Sequence, residues 1–368
     1  MRNRLKTLQA LRAFAAMAVV FYHTIAATDH AYPDGTIPDS LMNIGWLGGF
    51  GVDVFFVISG FIMVYAHWGD FQLPGSQRRF RSNRLRRIVP NYWLLTTVGV
   101  LIILLMPSLS QHGRTFDPYW IIASYAFTPW TSDAGITMPV LGLGWTLNYE
   151  MYFYVVFSFA LLFPRNLAIP LLVLVFLTSI AAGTFISSDA PLFKQVTSWL
   201  LIEFLCGVAL AIAFKKGRSV QTSTAVLLVA ITFPLLAMAL LWRDNGAFPH
   251  YLRLVFYGTP ALAIVLAATL SEGMRNLRVP AFIILLGDAS YSIYLTHLFT
   301  LPATLKILPM LGIKLYFLLN IVVLMVASAV VGVIFYKLFE HPTQKKLRPT
   351  KQLSARQCPV HDAFWMDH

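Results

Sequence analysis

The sequence predicts an all-α, multi-pass integral membrane protein, and three observations support that fold class. Hydrophobic side chains make up 57% of the 368 residues and charged side chains 12%, whereas about 25% of the residues in a soluble domain are charged. Apolar runs of about twenty residues recur along the chain, and each could cross a bilayer as a helix. Lys and Arg are distributed unevenly between the loops. The net charge of +12 therefore indicates membrane topology rather than a nucleic-acid partner.

The apolar runs predict about ten transmembrane helices in one membrane domain, residues 1–342, followed by a cytoplasmic polar tail, residues 343–368. The predicted spans are Leu8–Thr28, Gly45–Trp68, Ile88–Met106, Leu141–Phe163, Ala168–Ser187, Ser198–Phe214, Thr224–Trp242, Tyr251–Leu270, Ala281–Thr304 and Lys314–Phe339. The segment Gly113–Pro139 is interrupted by prolines, which predicts an outer-face lid or a re-entrant piece rather than a span. The end of the tail, from Thr350, is polar and is predicted to be disordered.

The arginines and lysines predict the orientation of the domain. If the N-terminus is cytoplasmic, 22 of the 28 Lys and Arg residues lie on that side and six on the other. The positive-inside rule then places both termini in the cytoplasm. Cys206 and Cys358 lack the spacing of metal ligands or of a disulfide framework, so the sequence predicts no metal site.

Ionisable residues within the spans are candidates for function because burying a charge in hydrocarbon is costly. Arg12 and His23 are eleven residues apart, which places them on one helix face about 16 Å apart along the axis. The other candidates are Asp53, Glu150, Glu203, Asp288 and His297. Counting residues from the span ends predicts that four of them meet in the outer half of the bilayer, namely His23, Asp53, Glu150 and His297.

The same count places Arg12, Asp288 and six arginines between Arg78 and Arg87 near the inner face. The sequence thus predicts a cytoplasmic arginine mouth, suited to an anion, below a centre of histidine and carboxylate side chains. Structural interpretations stay open for each part. A single buried histidine is usually a packing residue, Asp53 suits an interhelical hydrogen bond, and the arginines suit anionic lipid headgroups.

Several motifs occur together in a fixed order over nearly the whole chain. They are Leu8-Gln-Ala-Leu-Arg12 with His23, Gly51-Val-Asp-Val-Phe-Phe-Val-Ile-Ser-Gly-Phe61, Arg-x-x-Arg within Phe80–Pro90, Trp145-Thr-Leu-Asn-Tyr-Glu150, Tyr291-Ser-Ile-Tyr-Leu-Thr-His297 and Phe339-Glu-His-Pro342. In these motifs the chain resembles the acyltransferase 3 family of bacterial membrane acyltransferases, especially members that O-acetylate exopolysaccharides or their lipid-linked precursors. Two overlapping pairs satisfy Arg-x-x-Arg, Arg81 with Arg84 and Arg84 with Arg87.

The resemblance implies an acyl-CoA donor, most simply acetyl-CoA, from the cytoplasm and a hydroxyl acceptor on a glycan or lipid-linked oligosaccharide. No permanently bound cofactor is expected. Arg12, Arg81, Arg84 and Arg87 would bind the donor, since guanidinium groups suit phosphate. His23 would act as general base, with Asp53 or Glu150 orienting its ring and His297 as an additional member.

Two alternatives to this mechanism and function remain. Acylation of Ser59 is the weaker mechanism because Ser59 lies about 240° around the helix from Asp53. A sugar or proton-coupled transporter is the main alternative from another class, since buried ionisable groups also build proton relays. Its expected signature, paired broken helices in related halves, is not found in the sequence.

Overall fold

The computed structural model describes residues 2–33, 36–106, 116–242 and 250–347, and within these ranges the chain is helical, with no β-strand. This confirms the all-α class. The α-helices are α1 Arg2–Ala31, α2 Asp39–Leu47, α3 Phe50–Ala66, α4 Ser76–Leu105, α5 Pro118–Tyr125, α6 Gly144–Ala160, α7 Arg165–Phe185, α8 Pro191–Val196, α9 Leu201–Lys215, α10 Thr222–Trp242, α11 His250–Arg253, α12 Thr259–Leu270, α13 Ala281–Asp288, α14 Ser290–Met310, α15 Phe317–Phe335 and α16 His341–Lys346. Two π-helical turns, Leu254–Gly258 and Tyr336–Glu340, follow α11 and α15.

The number of spans stays a prediction. Within the described ranges, eight helices are long and apolar enough to cross a membrane, or nine if α13 and α14 form one span. Those two helices meet at an angle of 71°, where a straight span had been predicted. The remaining predicted span contains α6, whose 17 residues measure about 26 Å at 1.5 Å per residue, less than the roughly 30 Å of a hydrocarbon core.

Two further predictions concern segments between spans. The arginines from Arg78 to Arg87 belong to the first turns of α4, which begins at Ser76 rather than near Ile88, so they are helical and not a loop. The broken segment contains only the eight-residue helix α5 in its described part, as expected of a piece that does not span. Residues 113–115 of that segment, Cys358 and the predicted disorder from Thr350 lie outside the described residues.

The described chain divides into two compact units, which are treated separately below. In the first unit, residues 2–66 with 203–338, helix α1 is central and packs against α2, α3, α12, α13, α14 and α15. The face of α1 toward its neighbours is lined by small residues such as Ala15 and Ala16, both fully buried. Small residues allow helix backbones to approach closely in membranes, and this is how one helix accommodates six neighbours.

The two glycines that bound the second motif explain its spacing. A Cβ atom on Gly51 would collide with the carbonyl oxygen of Ala15 in α1, and a Cβ atom on Gly60 would collide with that of Phe204 in α9. Helix α3 is therefore held between two close neighbours, one at each glycine. Asp53 lies between these two contacts, so its position is fixed by the packing of backbone against backbone.

The second unit, residues 67–202 with 339–347, is built on α4 and α6. Helix α6 packs against α4, α7 and α8, and α5 packs against α4. Aromatic rings fill the space between α4 and α6, where Phe80 contacts both Tyr154 and Phe157. The segment before α5 is ordered by Asp117, which caps the helix by accepting from the Trp120 N–H at 3.0 Å and also accepts from the Asp133 N–H at 3.1 Å. These hydrogen bonds lower the pKa of the Asp117 carboxyl.

Candidate active site

His23 and His297 face one another in the first unit. His23 lies on α1 and His297 on α14, and their ring centres are 5.2 Å apart. His297 is fully buried, while His23 is half-buried and also contacts the ring of Tyr22 at 4.7 Å. The sequence prediction that these two histidines meet is confirmed, even though the bend between α13 and α14 was not foreseen.

Arg12 lies on the same unbroken helix as His23, so the spacing of eleven residues places both on one face as predicted. Its guanidinium Nη1 donates to the Gln9 Oε1 at 2.9 Å, and the Gln9 Nε2 donates to the Asp288 Oδ1 at 2.7 Å. Arg12 is 5% exposed. Gln9 therefore links Arg12 to the end of α13, as is compatible with the same predicted depth for Arg12 and Asp288.

Asp53 has a different partner from the one predicted. Its carboxylate accepts two hydrogen bonds from Arg253, from Nε at 3.0 Å and from Nη2 at 2.7 Å. No hydrogen bond joins Asp53 to His23 within the described part of the chain. The expected role of Asp53 in orienting the His23 ring is therefore wrong for this structure, because the bidentate guanidinium occupies the carboxylate.

Arg253 also makes a hydrogen bond at the junction between α2 and α3. Its Nη2 donates to the Gly49 carbonyl oxygen at 3.2 Å, between the end of α2 and the start of α3. That carbonyl lies at the junction of the two helices, where it also accepts a hydrogen bond from the Val52 N–H at 3.1 Å. Hydrogen bonds from Arg253 therefore connect α11 both to Gly49, at the junction of α2 and α3, and to Asp53, in the first turn of α3.

Glu203 is the second carboxyl of this cluster. It is fully buried on α9 and interacts electrostatically with Asp53 and Arg253, without a well-formed hydrogen bond to either. The π-helical turn after Arg253 ends at Gly258, where a Cβ atom would lie only 3.0 Å from the Glu203 Oε1. The wide turn and the glycine leave room for this carboxyl beside the ion pair.

In the second unit, Glu150 lies beside Arg84. Tyr154 donates to the Glu150 Oε1, and the Arg84 guanidinium carbon lies 5.7 Å from the centre of the Tyr154 ring. Arg84 interacts electrostatically with Tyr154, Arg87 and Glu150. The predicted separation in depth between the arginine mouth and Glu150 is therefore wrong for Arg84, which lies beside Glu150 in the structure. The expected contact of Glu150 with His23 stays a prediction.

The structure distinguishes the two overlapping Arg-x-x-Arg pairs. The buried side of α4 follows Phe80, Arg84 and Ile88, at helical spacing. Arg87 is half-buried, whereas Arg81 is exposed. Arg84 and Arg87 thus share one electrostatic cluster with Glu150 and Tyr154, and this pair is the better match to a functional motif.

Ser59 lies on α3, an unbroken helix from Phe50 to Ala66, so its predicted separation from Asp53 around the helix axis holds. Three partners were not predicted as site residues, namely Gln9, Tyr154 and Arg253. Arg253 was counted among the six outer-side cations. Asp53 could have pointed to Arg253, because a carboxylate within a membrane span requires a cation at a similar depth.

Comparison with known proteins places these sites in a family. A model described as an acyltransferase domain matches residues 5–337. The exopolysaccharide production protein ExoZ of Rhizobium meliloti (strain 1021) is 34% identical, with 82% of this chain and 91% of ExoZ covered. The acyltransferase MdmB of Streptomyces mycarofaciens is 23% identical, with coverage of 80% and 78%. The peptidoglycan O-acetyltransferase OatA of Listeria monocytogenes is 24% identical, and the alignment covers 94% of this chain and 56% of OatA. No solved structure gives a significant match.

Proposed function

This chain belongs to the acyltransferase 3 family, and from that premise we propose that it transfers an acetyl group from cytoplasmic acetyl-CoA to a hydroxyl of an exopolysaccharide or its lipid-linked precursor. The family and the O-acetyltransferase relatives support membrane O-acetylation as the reaction class. The similarity to the exopolysaccharide production protein ExoZ supports an exopolysaccharide acceptor. A donor that comes from the cytoplasm supports the inner membrane as the location.

The observation that carries the proposal is the contact of His23, on the face of α1 that also bears Arg12, with the fully buried His297 of α14. A neutral imidazole can take a proton from a hydroxyl at the moment of attack, and such general-base catalysis contributes about 10²–10⁴-fold. Polar groups of this kind are costly among apolar helices, so their presence is more readily explained by chemistry than by packing.

The reaction balances without a further reagent. The acceptor oxygen attacks the thioester carbonyl carbon while its proton moves to a ring nitrogen of His23. The carbon–sulfur bond then breaks, and the departing CoA thiolate takes the proton from the imidazolium. The products are the O-acetyl ester and free CoA, and His23 returns to its neutral form.

The proposed function is tested by mass spectrometry of the surface polysaccharide of the host, with and without this gene. We expect the deletion to remove acetyl groups and the wild-type gene to restore them. A polysaccharide whose acetyl content does not change on deletion would contradict the exopolysaccharide acceptor. Assays with lipid or small-molecule acceptors would then follow.

The donor part of the proposal predicts a difference between two arginines of α4. We expect Arg87→Ala to weaken acetyl-CoA binding about 10- to 150-fold, because loss of one charge-assisted hydrogen bond to phosphate costs about 1.5–3 kcal/mol. Arg87 is preferable to Arg84 for this test because Arg84 is engaged with Glu150 and Tyr154. Isothermal titration of the purified protein with acetyl-CoA measures the effect.

The matched control is Arg78→Ala, which removes an exposed arginine from the same helix. It tests whether any positive charge in this part of α4 suffices for acetyl-CoA binding. If the effect is a general electrostatic one, both variants should bind acetyl-CoA equally weakly. Equal dissociation constants for the two variants would contradict a specific role of the Arg84–Arg87 pair. They would support the alternative that the arginines contact lipid headgroups.

A further inference from the structure

His297 has a defined pattern of hydrogen bonding on its two ring nitrogens. Its Nδ1 lies 3.1 Å from the carbonyl oxygen of Ile293, one turn earlier in α14. A carbonyl can only accept, so Nδ1 carries a proton and donates it. In the neutral ring the other nitrogen, Nε2, is then an acceptor. That Nε2 is fully buried and has no hydrogen-bond partner in the described part of the chain.

On the side that faces α1, the surroundings of His297 are mainly apolar. Helices α1 and α14 pack directly against each other, and near the two histidines their contact is formed by Ala16, Val20 and Ile293, which are apolar and buried. The described rings in contact with His297 are those of His23, at 5.2 Å, and of Tyr294, at 6.2 Å. At the first distance, a modest rotation could bring nitrogens of the two imidazoles to the roughly 3 Å of a hydrogen bond.

We propose that His297 is a positioning residue whose Nε2 accepts a hydrogen bond from the protonated ring nitrogen of His23. This inference rests on the proposed function of His23 as general base. It assigns to His297 the role that the sequence had assigned to Asp53 or Glu150. The hydrogen bond fixes the tautomer of His23, so that the other His23 nitrogen carries the lone pair and faces the acceptor hydroxyl.

A histidine partner differs chemically from the carboxylate of a hydrolase triad. Once His23 has taken the proton from the acceptor, it is an imidazolium, and its hydrogen bond to the neutral Nε2 becomes charge-assisted. No counter-charge is added next to the imidazolium. The proton stays available for the CoA thiolate, which must receive it when the carbon–sulfur bond breaks.

Two conservative variants separate positioning from packing. In His297→Gln the amide group can reach the place of Nε2 and offer an acceptor to His23, whereas in His297→Asn the amide group reaches only the place of Nδ1. We expect the Gln variant to retain at least ten times more acetylation of the surface polysaccharide than the Asn variant, at equal protein level. Both should bind acetyl-CoA as the wild type does. A purely structural role predicts no such order.

Two further measurements complete the test. His23→Ala and the double variant His23→Ala with His297→Asn should have equal residual activity, because the second residue acts through the first. In protein labelled with 15N-histidine, we expect a scalar coupling across the hydrogen bond between the two rings, and this coupling should be lost in His297→Gln. The exposed His30 lies seven residues after His23 on α1, and His30→Gln serves as the control with unchanged activity.

The outcomes distinguish the two proposals. If the wild-type gene adds no acetyl groups but the coupling between the rings is present, the proposed function is wrong and the histidine pair stands. If the wild type is active but the Gln and Asn variants are equal, or the coupling is absent, the role of His297 is wrong. Should a variant fail to accumulate, the coupling in the wild-type protein alone still decides the question.

Discussion

Replacement of His23 by alanine is expected to abolish acetylation of the surface polysaccharide while the protein accumulates normally. The contacts described for His23 are with the rings of Tyr22 and His297, and no ion pair is lost with it. Its removal therefore leaves a small cavity rather than an unpaired charge, and the fold should tolerate the change. The loss of a general base lowers the rate about 10²–10⁴-fold, so mass spectrometry should find almost none of the wild-type acetylation of the polysaccharide.

The control for this prediction is His30→Ala, which removes an exposed histidine from the same helix. Protein amounts are compared by quantitative immunoblot of the membrane fraction. Acetylation that persists in the His23 variant at a normal protein level would contradict direct transfer through His23. Activity lost together with the protein would instead show that His23 is needed for folding.

Much of the fold could be predicted from the sequence because the formation of a membrane helix depends mainly on the residues of the helix itself. A run of about twenty apolar residues suffices to predict a membrane helix, and every predicted span overlaps a helix of the structure. The bend at Ala289 could not be predicted, because it follows from the tertiary packing of Gly287 against the carbonyl of Gln9 in α1. The early start of α4 was missed because its arginine-rich first turns have no apolar periodicity. These turns are stabilised by packing against α6, which the local sequence does not show.

The parts of the candidate site that depend on residue spacing within one helix could be predicted. The parts that depend on which residues of different helices pair with each other could not. Helical periodicity places Arg12 and His23 on one face, and counting depth brought His297 to His23. Counting depth does not show which carboxylate meets which cation. Asp53 was paired with His23 by depth alone, whereas its partner is Arg253 on a helix nearly two hundred residues later.

Replacement of Arg253 by glutamine is expected to destabilise the protein strongly. The variant would leave two buried carboxyls, Asp53 and Glu203, without the guanidinium that compensates them. Removing one partner of a buried ion pair costs about 3–5 kcal/mol, since a charge remains in an apolar environment. The bond to Gly49 at the break between α2 and α3 is lost as well. We expect less protein in the membrane and a lower midpoint of thermal unfolding in detergent.

A second change separates charge compensation from packing. In the double variant Arg253→Gln with Asp53→Asn, the uncompensated carboxylate is gone, so a large part of the lost stability should return and the two effects should not add. The control is Lys194→Gln, which breaks the exposed Lys194–Asp189 pair and should leave the midpoint unchanged, as surface ion pairs contribute little. Equal midpoints for the single and double variants would contradict charge compensation. Arg253 would then stabilise the protein through its hydrogen bond to the Gly49 carbonyl. In the Arg253 variant, the carboxyls of Asp53 and Glu203 would have to be protonated and therefore neutral.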